Sequence, residues 1–584
     1  MKTKLTILIL STISFLNAQS PNWAWAKTAG SSAIWDYSGG SDYHSSTIVT
    51  DALGNSYVTG HFTGTAQFGT ISLSSPSFPS VFTAKYDSSG NCMWAKHFGA
   101  HVPAPPAPFQ MANNGKAIGI DSLGNCYVSG VFNGSPTDTI HFGNSILLGY
   151  DDARSEIFLV KYDANGNEVW ATQSKYLNGS GVNASTSISV DKAGNSYLAF
   201  YLSKDNLVSF GNLPQIIGHG SYLVKHNSFG AALWTTQLGI SAGPPTGVFA
   251  YAVASDKYGR AYVTGMLSGT ATVAGTPPST LTAIGTLNQQ WDTYLAKLNA
   301  NGSLAWVKQF GHPQGTSFGT SIGTDSLGHV YLQGNFTSSI VIGSATLSNL
   351  NASATKYNTY ITKMDSVGNV IWNHQPGLSE TDAACMRVTE AGNIYFAVSY
   401  AQESQAVNYC NATYGPGTAG IMVGKLDANG SCVWNRAAQG SMRPGGLGLD
   451  GEEDIYLAGS IQGSASFAGH QAVSAGGQDV LLAKITTLFT STVNVGLTES
   501  EKQNVILVYP NPFESEIHFI LPEFSSQSEA ELVITSILGE ELHRQKVDSK
   551  SQVIFPRAGL PNGMYFYRIH AGEMTLGEAK LIAR

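Results

Sequence analysis

The sequence predicts an all-β protein assembled from a repeated unit of short strands. Three observations carry this prediction. A lysine followed nine residues later by a tryptophan recurs along the chain, 64 of the 584 residues are glycine, and only 12% of the residues are charged. Short strands joined by many turns have this composition, whereas helical or disordered chains do not. Long apolar stretches with the helical period are missing from the sequence.

The sequence predicts two hairpins in each repeat, and the turns of both hairpins have the pattern Asp-x-x-Gly. The first hairpin contains Asp-x-x-Gly-Asn and then an aromatic strand, as in 51–60, and a short Phe-Gly element follows at 68–69. The second hairpin runs from a lysine strand through another Asp-x-x-Gly turn to a tryptophan strand, as in 81–94. Asp can accept backbone N–H groups of such a turn, and Gly accepts positive φ. We call the four strands of a repeat a, b, c and d; b carries the tyrosine, c the lysine and d the tryptophan.

Six lysine–tryptophan pairs are complete, and the seventh is divided between the two ends of the array. The complete pairs are Lys85/Trp94, Lys161/Trp170, Lys225/Trp234, Lys297/Trp306, Lys363/Trp372 and Lys425/Trp434. Lys484 has no tryptophan after it, and Trp25 has no lysine nine residues before it. A four-stranded sheet cannot bury both faces alone, so the copies must stack. The sequence therefore predicts a seven-bladed β-propeller that is closed by an N-terminal strand carrying Trp25. An open β-solenoid is the alternative, but it gives no reason for the displaced Trp25.

The repeat motif is similar to that of a known family. Asp-x-x-Gly-Asn-x-Tyr-Val-Thr-Gly, followed by Lys-x-Asp-x-x-Gly-x-x-x-Trp, resembles the bacterial seven-bladed β-propeller repeat over about residues 23–487. The resemblance implies the fold and a generic binding or scaffold role, and it names no ligand.

The first 18 residues read as a secretory signal peptide. Lys2 and Lys4 precede an apolar run over 5–16, and Ala18 is a small residue before a cut at Gln19. An N-terminal membrane anchor is the alternative, but the run is short for a bilayer core of ~30 Å. We expect no transmembrane segment elsewhere. The predicted organisation is a signal peptide at 1–18, the propeller at 19–487, a linker at 488–504 and a C-terminal domain at 505–584.

The C-terminal domain shows short alternating strands that are typical of a small Ig-like β-sandwich. Four motifs lie in order within it: Tyr509-Pro510-Asn511-Pro512, a middle motif around Gly539, Leu-x-x-Gly-x-Tyr with Gly563 and Tyr565, and a basic-apolar end with Lys580. These motifs resemble the type A C-terminal sorting domain of the type IX secretion system of Bacteroidota. The resemblance implies transport via the periplasm, the secretion machinery and its sortase-like peptidase as partners, and a product that is secreted or attached to the outer-membrane surface. An ordinary Ig-like domain is the alternative.

A ligand site is predicted on the long d–a connections, which vary between repeats and lie opposite the short Asp-x-x-Gly turns. They carry aromatic and histidine side chains that suit a glycan or a protein ligand. The candidate residues are Trp35, Tyr37, Tyr43, His44, His101, Tyr176 and His312. Phe249, Tyr251 and Phe318 are placed in the same connections. The alternative is that these side chains only pack the loops against the scaffold.

Other functions receive less support from the sequence. A net charge of −8 disfavours nucleic acid. The acidic clusters at 151–152 and 380–382 lack an orienting partner, and neither a nucleophile motif nor a metal motif occurs, so we expect no catalytic residue, no metal and no cofactor. A propeller-based polysaccharide hydrolase and a purely structural surface protein remain as alternatives to a binding module.

The five cysteines do not match a zinc pattern. Three of them, Cys92, Cys126 and Cys432, stand at strand starts where other repeats carry small or apolar residues. We therefore expect small buried side chains rather than a disulfide framework.

Overall fold

The computed structural model is built from β-strands, and no helix occurs within the residues it describes. The described residues are 21–30, 47–99, 113–134, 139–142, 145–149, 151–178, 183–202, 207–241, 247–273, 279–284, 290–350, 356–379, 384–400, 407–410, 412–414, 419–486, 507–509, 513, 515–520, 530–536, 540–547, 552–557, 559–571 and 574–583. The chain divides into two compact units, Met1–Phe489 and Thr490–Arg584.

In the first unit, one described strand precedes the seven repeats in the sequence. The strands are β1 (Asn22–Ala29); β2 (Ile48–Thr50), β3 (Ser56–Phe68), β4 (Ile71–Tyr86) and β5 (Cys92–Phe98) in the first repeat; β6 (Asn114–Ile120), β7 (Cys126–Gly134), β8 (Thr139–Phe142), β9 (Ser145–Leu148), β10 (Asp151–Tyr162) and β11 (Glu168–Asn178) in the second; and β12 (Asn183–Val190), β13 (Ser196–Leu202), β14 (Leu207–Phe210), β15 (Ile216–Ile217), β16 (Gly220–His226) and β17 (Ala232–Ser241) in the third.

The fourth to seventh repeats follow the same order. Their strands are β18 (Gly247–Ser255), β19 (Ala261–Ser268), β20 (Thr270–Val273), β21 (Ser279–Thr282), β22 (Trp291–Leu298) and β23 (Leu304–Phe310); β24 (Ser317–Thr324), β25 (Val330–Phe336), β26 (Ser339–Ile342), β27 (Ala345–Ser348), β28 (Tyr357–Met364) and β29 (Val370–Ser379); β30 (Ala384–Val388), β31 (Ile394–Tyr400), β32 (Val407–Tyr409), β33 (Ala412–Tyr414) and β34 (Gly420–Leu426); then β35 (Cys432–Leu449), β36 (Ile455–Phe467) and β37 (His470–Thr486).

The four main strands of each repeat pair antiparallel in the order a-b-c-d, as in β2-β3-β4-β5 and β24-β25-β28-β29. The long strand β35 is both the d strand of the sixth repeat and the a strand of the seventh, so these two repeats share one sheet ordered β1-β37-β36-β35-β34-β31-β30. In that sheet β1 runs antiparallel to β37, and Trp25 lies opposite Lys484. The strand order thus joins the displaced tryptophan to the lysine that lacks one.

The core lies between the faces of successive sheets. The b-strand tyrosines are fully buried, and these are Tyr57, Tyr127, Tyr197, Tyr262, Tyr331, Tyr395 and Tyr456. Each hydrophobic cluster mixes residues of neighbouring repeats, as where Val49 and Tyr57 of the first repeat pack with Ile118 and Phe132 of the second. The repeats therefore bury their apolar surface against one another, as stacked repeat units must.

The second unit has two antiparallel sheets that share one core. Its strands are β38 (Leu507–Tyr509), β39 (Glu516–Ile520), β40 (Ala530–Ser536), β41 (Glu541–Val547), β42 (Gln552–Pro556), β43 (Gly563–Ala571) and β44 (Met574–Ala583). One sheet has the order β38-β39-β42 and the other β41-β40-β43-β44. Phe519 and Phe555 of the first sheet pack in the same cluster as Ile534 and Tyr567 of the second.

The cysteine prediction is wrong for Cys432, which forms a disulfide with Cys410. Cys410 stands at the tip of the β32–β33 hairpin with a φ of 48°, where the equivalent hairpins carry a glycine such as Gly69 or Gly343. The tip lies against the start of the d strand, so a cysteine at both places can be bridged. Cys126 and Cys385 are buried free thiols as expected, and Cys92 is a half-buried free thiol.

Candidate functional site

The lysine and the tryptophan of one repeat hold the c–d turn of the next. Lys85 Nζ and Trp94 Nε1 both donate to Ala164 O, at 3.0 and 3.3 Å. Six tryptophans make this contact, with the acceptors Ser88 for Trp25, Ala164 for Trp94, Ser228 for Trp170, Ala300 for Trp234, Ser366 for Trp306 and Ala428 for Trp372. The acceptor is always the residue after the first position of the turn. The recurrent pair is therefore explained as an interlock between repeats.

The b-strand tyrosine completes the interlock. Every repeat lysine lies over the tyrosine ring of its own repeat, at 4.7 Å from the centroid for Lys225 and Tyr197. This is a favourable cation–π distance. In the second repeat Tyr127 Oη donates to Gly194 O of the third repeat at 2.9 Å. These side chains are used in packing, and their burial leaves them unavailable to a ligand.

The Asp residues of the turns are used by the turns themselves. Asp51 Oδ1 accepts the N–H groups of Leu53 and Asn55 at 3.0 and 2.9 Å, and Gly54 adopts a φ of 81°. Asn55 Nδ2 donates to Asp51 Oδ2 at 2.7 Å. In the part of the chain that the structure describes, no group of three or more His, Cys, Asp or Glu side chains could hold a metal ion.

At one junction neither the lysine nor the tryptophan reaches a turn carbonyl, and we call it the seam: Lys425, Trp434 and Glu453 between the sixth and seventh repeats. The seventh repeat has no c–d turn, because its c strand β37 ends at Thr486 and its d strand is β1. Lys425 Nζ donates instead to Glu453 Oε2 at 2.7 Å. Tyr395 Oη donates to the same carboxylate. Within the described residues Trp434 Nε1 has no hydrogen-bond acceptor.

Glu453 is charged at neutral pH in this setting. Its burial acts to raise the pKa, but the hydrogen bonds from Lys425 and Tyr395 outweigh burial and leave the pKa below its ordinary value. Glu453 has a φ of 61° and takes the place that glycine has in the other a–b turns. The seam therefore replaces an absent carbonyl by a carboxylate.

The predicted ligand residues are only partly within the described structure. Trp35, Tyr37, Tyr43, His44 and His101 lie outside the described residues. Tyr176 lies in β11 opposite Val208 of β14. His312 is half-buried just after β23, and its Nδ1 accepts the N–H of Gln314 at 3.2 Å. Tyr176 and His312 belong to the second and fourth repeats, and nothing in the described structure brings them together.

Three aromatic residues that the sequence placed in the d–a connections belong to a strands instead. Phe249 and Tyr251 lie in β18, and Phe318 lies in β24. Tyr251 and Phe318 are buried, with ring centroids 6.3 Å apart, so they serve packing. The connections are shorter than expected because the a strands begin early, well before the Asp-x-x-Gly turn.

A half-exposed aromatic cluster was missed by the sequence reasoning. Tyr201 of β13 stacks on Phe249 with centroids 4.9 Å apart and an angle of 23° between the rings. Tyr201 Oη is also hydrogen-bonded to His219 Nε2. Burial raises the pKa of Tyr201 to about 12, so it stays a neutral phenol. The cluster lies at the strand ends remote from the Asp-x-x-Gly turns. The sequence feature that could have predicted it is an aromatic residue at the end of a b strand, together with another at the start of the next a strand.

The carboxylates with the strongest burial do not converge. Glu156, Asp292 and Asp479 occupy the same c-strand position in the second, fourth and seventh repeats, and all three are fully buried. Burial raises the pKa of Asp292, although it accepts hydrogen bonds from Ile284 N and Gln309 Nε2. The side chains of the acidic clusters at 151–152 and 380–382 lie outside the described part.

The C-terminal motif residues that the structure describes lie in β38, β43 and β44. Tyr509 pairs with His518, Gly563 with Ala583 and Lys580 with Phe566. Tyr565 is buried, and its Oη donates to Pro561 O at 2.8 Å. Pro510, Asn511, Pro512 and Gly539 lie outside the described residues. A search of the described residues for a helix long and apolar enough to cross a membrane found none.

Two family models match parts of the chain. A family model described as Beta-propeller repeat matches residues 233–266 and 305–335, and one described as Secretion system C-terminal sorting domain matches 507–583. An uncharacterized WD repeat-containing protein, L264 of Acanthamoeba polyphaga mimivirus, is 23% identical over 175 residues. That match covers 27% of this chain and 12% of the relative, so the chain spans a small part of that protein.

The solved structures that match this chain share little sequence with it. A polysaccharide lyase of a new family, a PL25 ulvan lyase bound to -[GlcA(1-4)Rha3S]-, has a TM-score of 0.41 and 11% identity, covering 77% of this chain and 94% of that chain. A protein of unknown function from Bacteroides caccae has a TM-score of 0.30 and 11% identity, covering 65% of this chain and 93% of that chain.

Proposed function

We propose that this chain, which carries β-propeller repeats and a C-terminal sorting domain of the type IX secretion system, is an exported binding module. The sorting domain directs the protein to secretion or to the cell surface. The single observation that carries the proposal is the combination of this domain with a repeat scaffold whose regular side chains are all consumed by packing. Binding is then left to the irregular end of the scaffold.

The scaffold in this proposal is a closed seven-bladed propeller over residues 19–487, followed by a linker at 488–504 and an Ig-like β-sandwich at 505–584. The antiparallel pairing of β1 with β37 supports closure, because it completes the seventh four-stranded sheet. The shared core of the two C-terminal sheets supports the sandwich.

The ligand in this proposal is a glycan or a protein, held at the end of the propeller opposite the Asp-x-x-Gly turns. Trp35, Tyr37, Tyr43, His44 and His101 are expected there from the sequence. The stacked pair of Tyr201 and Phe249 adds half-exposed aromatic surface at the same end of the strands. Aromatic planes of this kind stack on sugar rings and grip extended peptides.

Glycan and matrix-protein arrays test the binding proposal. The protein without its signal peptide is compared with Trp35→Ala/Tyr37→Ala/Tyr43→Ala and with Tyr201→Ala/Phe249→Ala. We expect both to lose binding at least about tenfold, since truncation of a central aromatic typically costs 2 kcal/mol or more. The control is Phe229→Ala, which removes an aromatic ring that is 83% exposed at the opposite end.

Equal binding by the control and both multiple variants would reject the site. Cleavage of an arrayed polysaccharide would instead favour a hydrolase, for which two carboxylates must lie within ~5–10 Å of each other. A protein that binds nothing on either array would favour a purely structural surface role.

The export route is proposed to run via the periplasm, with the secretion machinery and its sortase-like peptidase as partners. Deletion of residues 505–584 is expected to retain the protein in the periplasm, as measured by cell fractionation and surface labelling. Surface display of the truncated chain would contradict the sorting role. Mass spectrometry of the mature full-length product distinguishes release from attachment to lipopolysaccharide.

A further inference from the structure

A cavity of about 320 Å³ lies where the a strands of all seven repeats meet, and we call it the axial cavity. The last residues of each a strand form its wall, among them Thr50, Ser189, Ser255 and Thr324. Within the described structure, Arg387 is the single charged side chain that lines it. Because one water takes about 30 Å³ of liquid volume, the cavity has room for a small solute and some of its hydration water.

Arg387 is not a feature of the repeat. It stands two residues before Thr389, the first residue of its a–b turn. The other repeats carry uncharged residues at this position, and these are Val49, Gly119, Ser189, Ala254, Gly323 and Gly448. Three of them are glycines and add no side chain to the cavity. One repeat thus places a guanidinium in a space that the other repeats leave small and uncharged.

The contacts of Arg387 do not neutralise its charge. Nε donates to Leu447 O at 2.6 Å, and Nη2 donates to Ile48 O at 3.1 Å. These carbonyls belong to the a strands of the seventh and first repeats. Among the described residues no carboxylate forms an ion pair with Arg387, and Nη1 has no protein acceptor. Burial lowers the pKa of Arg387, the direction expected for a cation held away from water.

The carboxylate of Asp450, the first residue of the neighbouring a–b turn, is held by its own turn and forms no ion pair with Arg387. It accepts the N–H groups of Glu452 and Asp454 at 3.0 and 2.9 Å and the hydroxyl of Tyr456 at 3.1 Å. Arg387 is half-buried in the cavity wall, and a cation that is partly withdrawn from water without a counter-ion is disfavoured, because carbonyl dipoles compensate only part of the cost. An anion from solution would complete the compensation.

We infer that the axial cavity binds a small oxyanion, a carboxylate, sulfate or phosphate group, against Nη1 of Arg387. A guanidinium presents parallel N–H donors that match two oxygens of such a group. The hydroxyls of Ser189 and Ser255 are paired at 2.9 Å, which uses one of their two O–H groups, so the other supplies a neutral donor on the same wall. The group belongs either to a free solute or to the acidic end of a glycan chain. This site is separate from the loop-borne site proposed above.

Calorimetric titration of the whole secreted protein tests this inference. Sodium sulfate, phosphate and acetate are titrated at fixed ionic strength, and a sulfated oligosaccharide is titrated in a second arm. We expect saturable binding with one site, weakened about tenfold or more in Arg387→Met and less in Arg387→Lys, which retains the charge. Arg443→Met is the matched control, because Arg443 is an exposed arginine of β35. Binding in the second arm alone would identify a glycan end as the source.

Arg387 also ties three repeats together, so Arg387→Met can fail to fold. Crystals of the unaltered protein soaked in selenate then decide, since selenium is located by its anomalous signal. We expect a selenate oxygen within about 3 Å of Nη1, which puts the selenium peak about 4 Å from that atom. Selenate sites on the outer surface with none in the axial cavity would overturn the inference. Undiminished binding by a folded Arg387→Met protein would overturn it as well.

Discussion

The junction between the first and second repeats and the junction at the seam use the same side chains for different contacts. Lys85 and Trp94 share the carbonyl of Ala164, which a covalent c–d turn presents to them. At the seam that turn is absent, and Lys425 binds the carboxylate of Glu453. The interlock therefore depends on a continuous chain between the c and d strands of the next repeat. Where continuity is broken, β1 completes the last sheet by pairing with β37, and one carboxylate replaces the turn carbonyl.

Removal of β1 is expected to have the largest effect on this comparison. Trp23 and Ala29 are buried in the sheet that β1 completes, and without them the edge of β37 is uncovered. Loss of a buried Trp alone costs about 3–5 kcal/mol, and a whole domain is stable by only about 5–15 kcal/mol. A chain starting at residue 31 should therefore lack the cooperative urea transition of a chain starting at 19.

Added peptide covering residues 19–30 is the control for β1 removal, and it should restore the transition. An unchanged urea midpoint in the shortened chain would show that the seventh repeat is stable without its fourth strand.

Replacing a tryptophan at a regular junction or at the seam should have the next largest effect on the free energy of unfolding. Trp170→Ala removes a ring that packs on Gly230 and a hydrogen bond to Ser228 O. We expect a loss of about 3 kcal/mol in the free energy of unfolding, and about 1 kcal/mol less for Trp434→Ala, whose N–H has no described acceptor. Urea unfolding followed by circular dichroism measures both.

The matched controls are Trp170→Phe and Trp434→Phe, which keep an aromatic ring and delete only the N–H. The loss in the free energy of unfolding should again be larger for Trp170→Phe than for Trp434→Phe. Equal losses for both alanine variants would mean that the turn adds nothing to the interlock.

A transplanted disulfide tests whether the sixth repeat needs more reinforcement than the first. Cys410–Cys432 anchors the strand that carries Trp434, whereas the first repeat has Cys92 opposite a glycine. A Cβ built on Gly69 would lie 3.5 Å from the Cβ of Cys92, within the range for a disulfide. Gly69→Cys should form the bond and stabilise the protein by about 2 kcal/mol, after about 1 kcal/mol of strain from its positive φ.

Non-reducing peptide mapping and urea midpoints with and without dithiothreitol check the new bond, with Gly69→Ser as control. Reduction of the native Cys410–Cys432 bond gives the reference loss, about 3 kcal/mol. A Cys92 thiol that is still alkylated in Gly69→Cys would show that the two hairpins differ in geometry.

The charge at the seam should give the smallest effect and a distinctive pH dependence. Because hydrogen bonds hold the pKa of Glu453 below its ordinary value, its contribution is present above the unfolded pKa of about 4.3. It is lost as the pH falls through the folded pKa. Glu453→Gln should cost about 1 kcal/mol at pH 7, since the carboxylate is partly exposed, and almost nothing near pH 3.

Urea midpoints of Glu453→Gln across this pH range measure the effect, and Glu452→Gln, at an exposed position in the same turn, is the control. A loss that is independent of pH would assign the role of Glu453 to packing rather than to charge.

The regular part of the fold could be predicted from the sequence because the same residue pattern recurs in each repeat. The Asp-x-x-Gly turns, the tyrosine strands and the lysine–tryptophan pairs recur, and the displaced Trp25 pointed to the strand that pairs with Lys484. The sorting domain was predictable from its four motifs, which the matched region 507–583 contains.

The irregular part could not be predicted, because it consists of single departures from the repeat whose partners lie far away in sequence. Cys410 replaces a hairpin glycine, Glu453 replaces a turn glycine, and Arg387 replaces a small a-strand residue. Each departure was visible in the aligned repeats, but its contact partner was not. The ligand residues are the least predictable, since loops between regular strands carry no periodic signal.

The pairing of β1 with β37 also sets the order of events during biosynthesis. Thr28 Oγ1 of β1 donates to Val473 O, 445 residues later in the chain. A ribosome adds about 5–20 residues per second, so the first strand waits roughly 20 to 90 s before its partner exists. During that time a tryptophan-rich strand has no edge to pair with. Incomplete chains of this protein therefore need protection from pairing with one another until the last repeat has been synthesised.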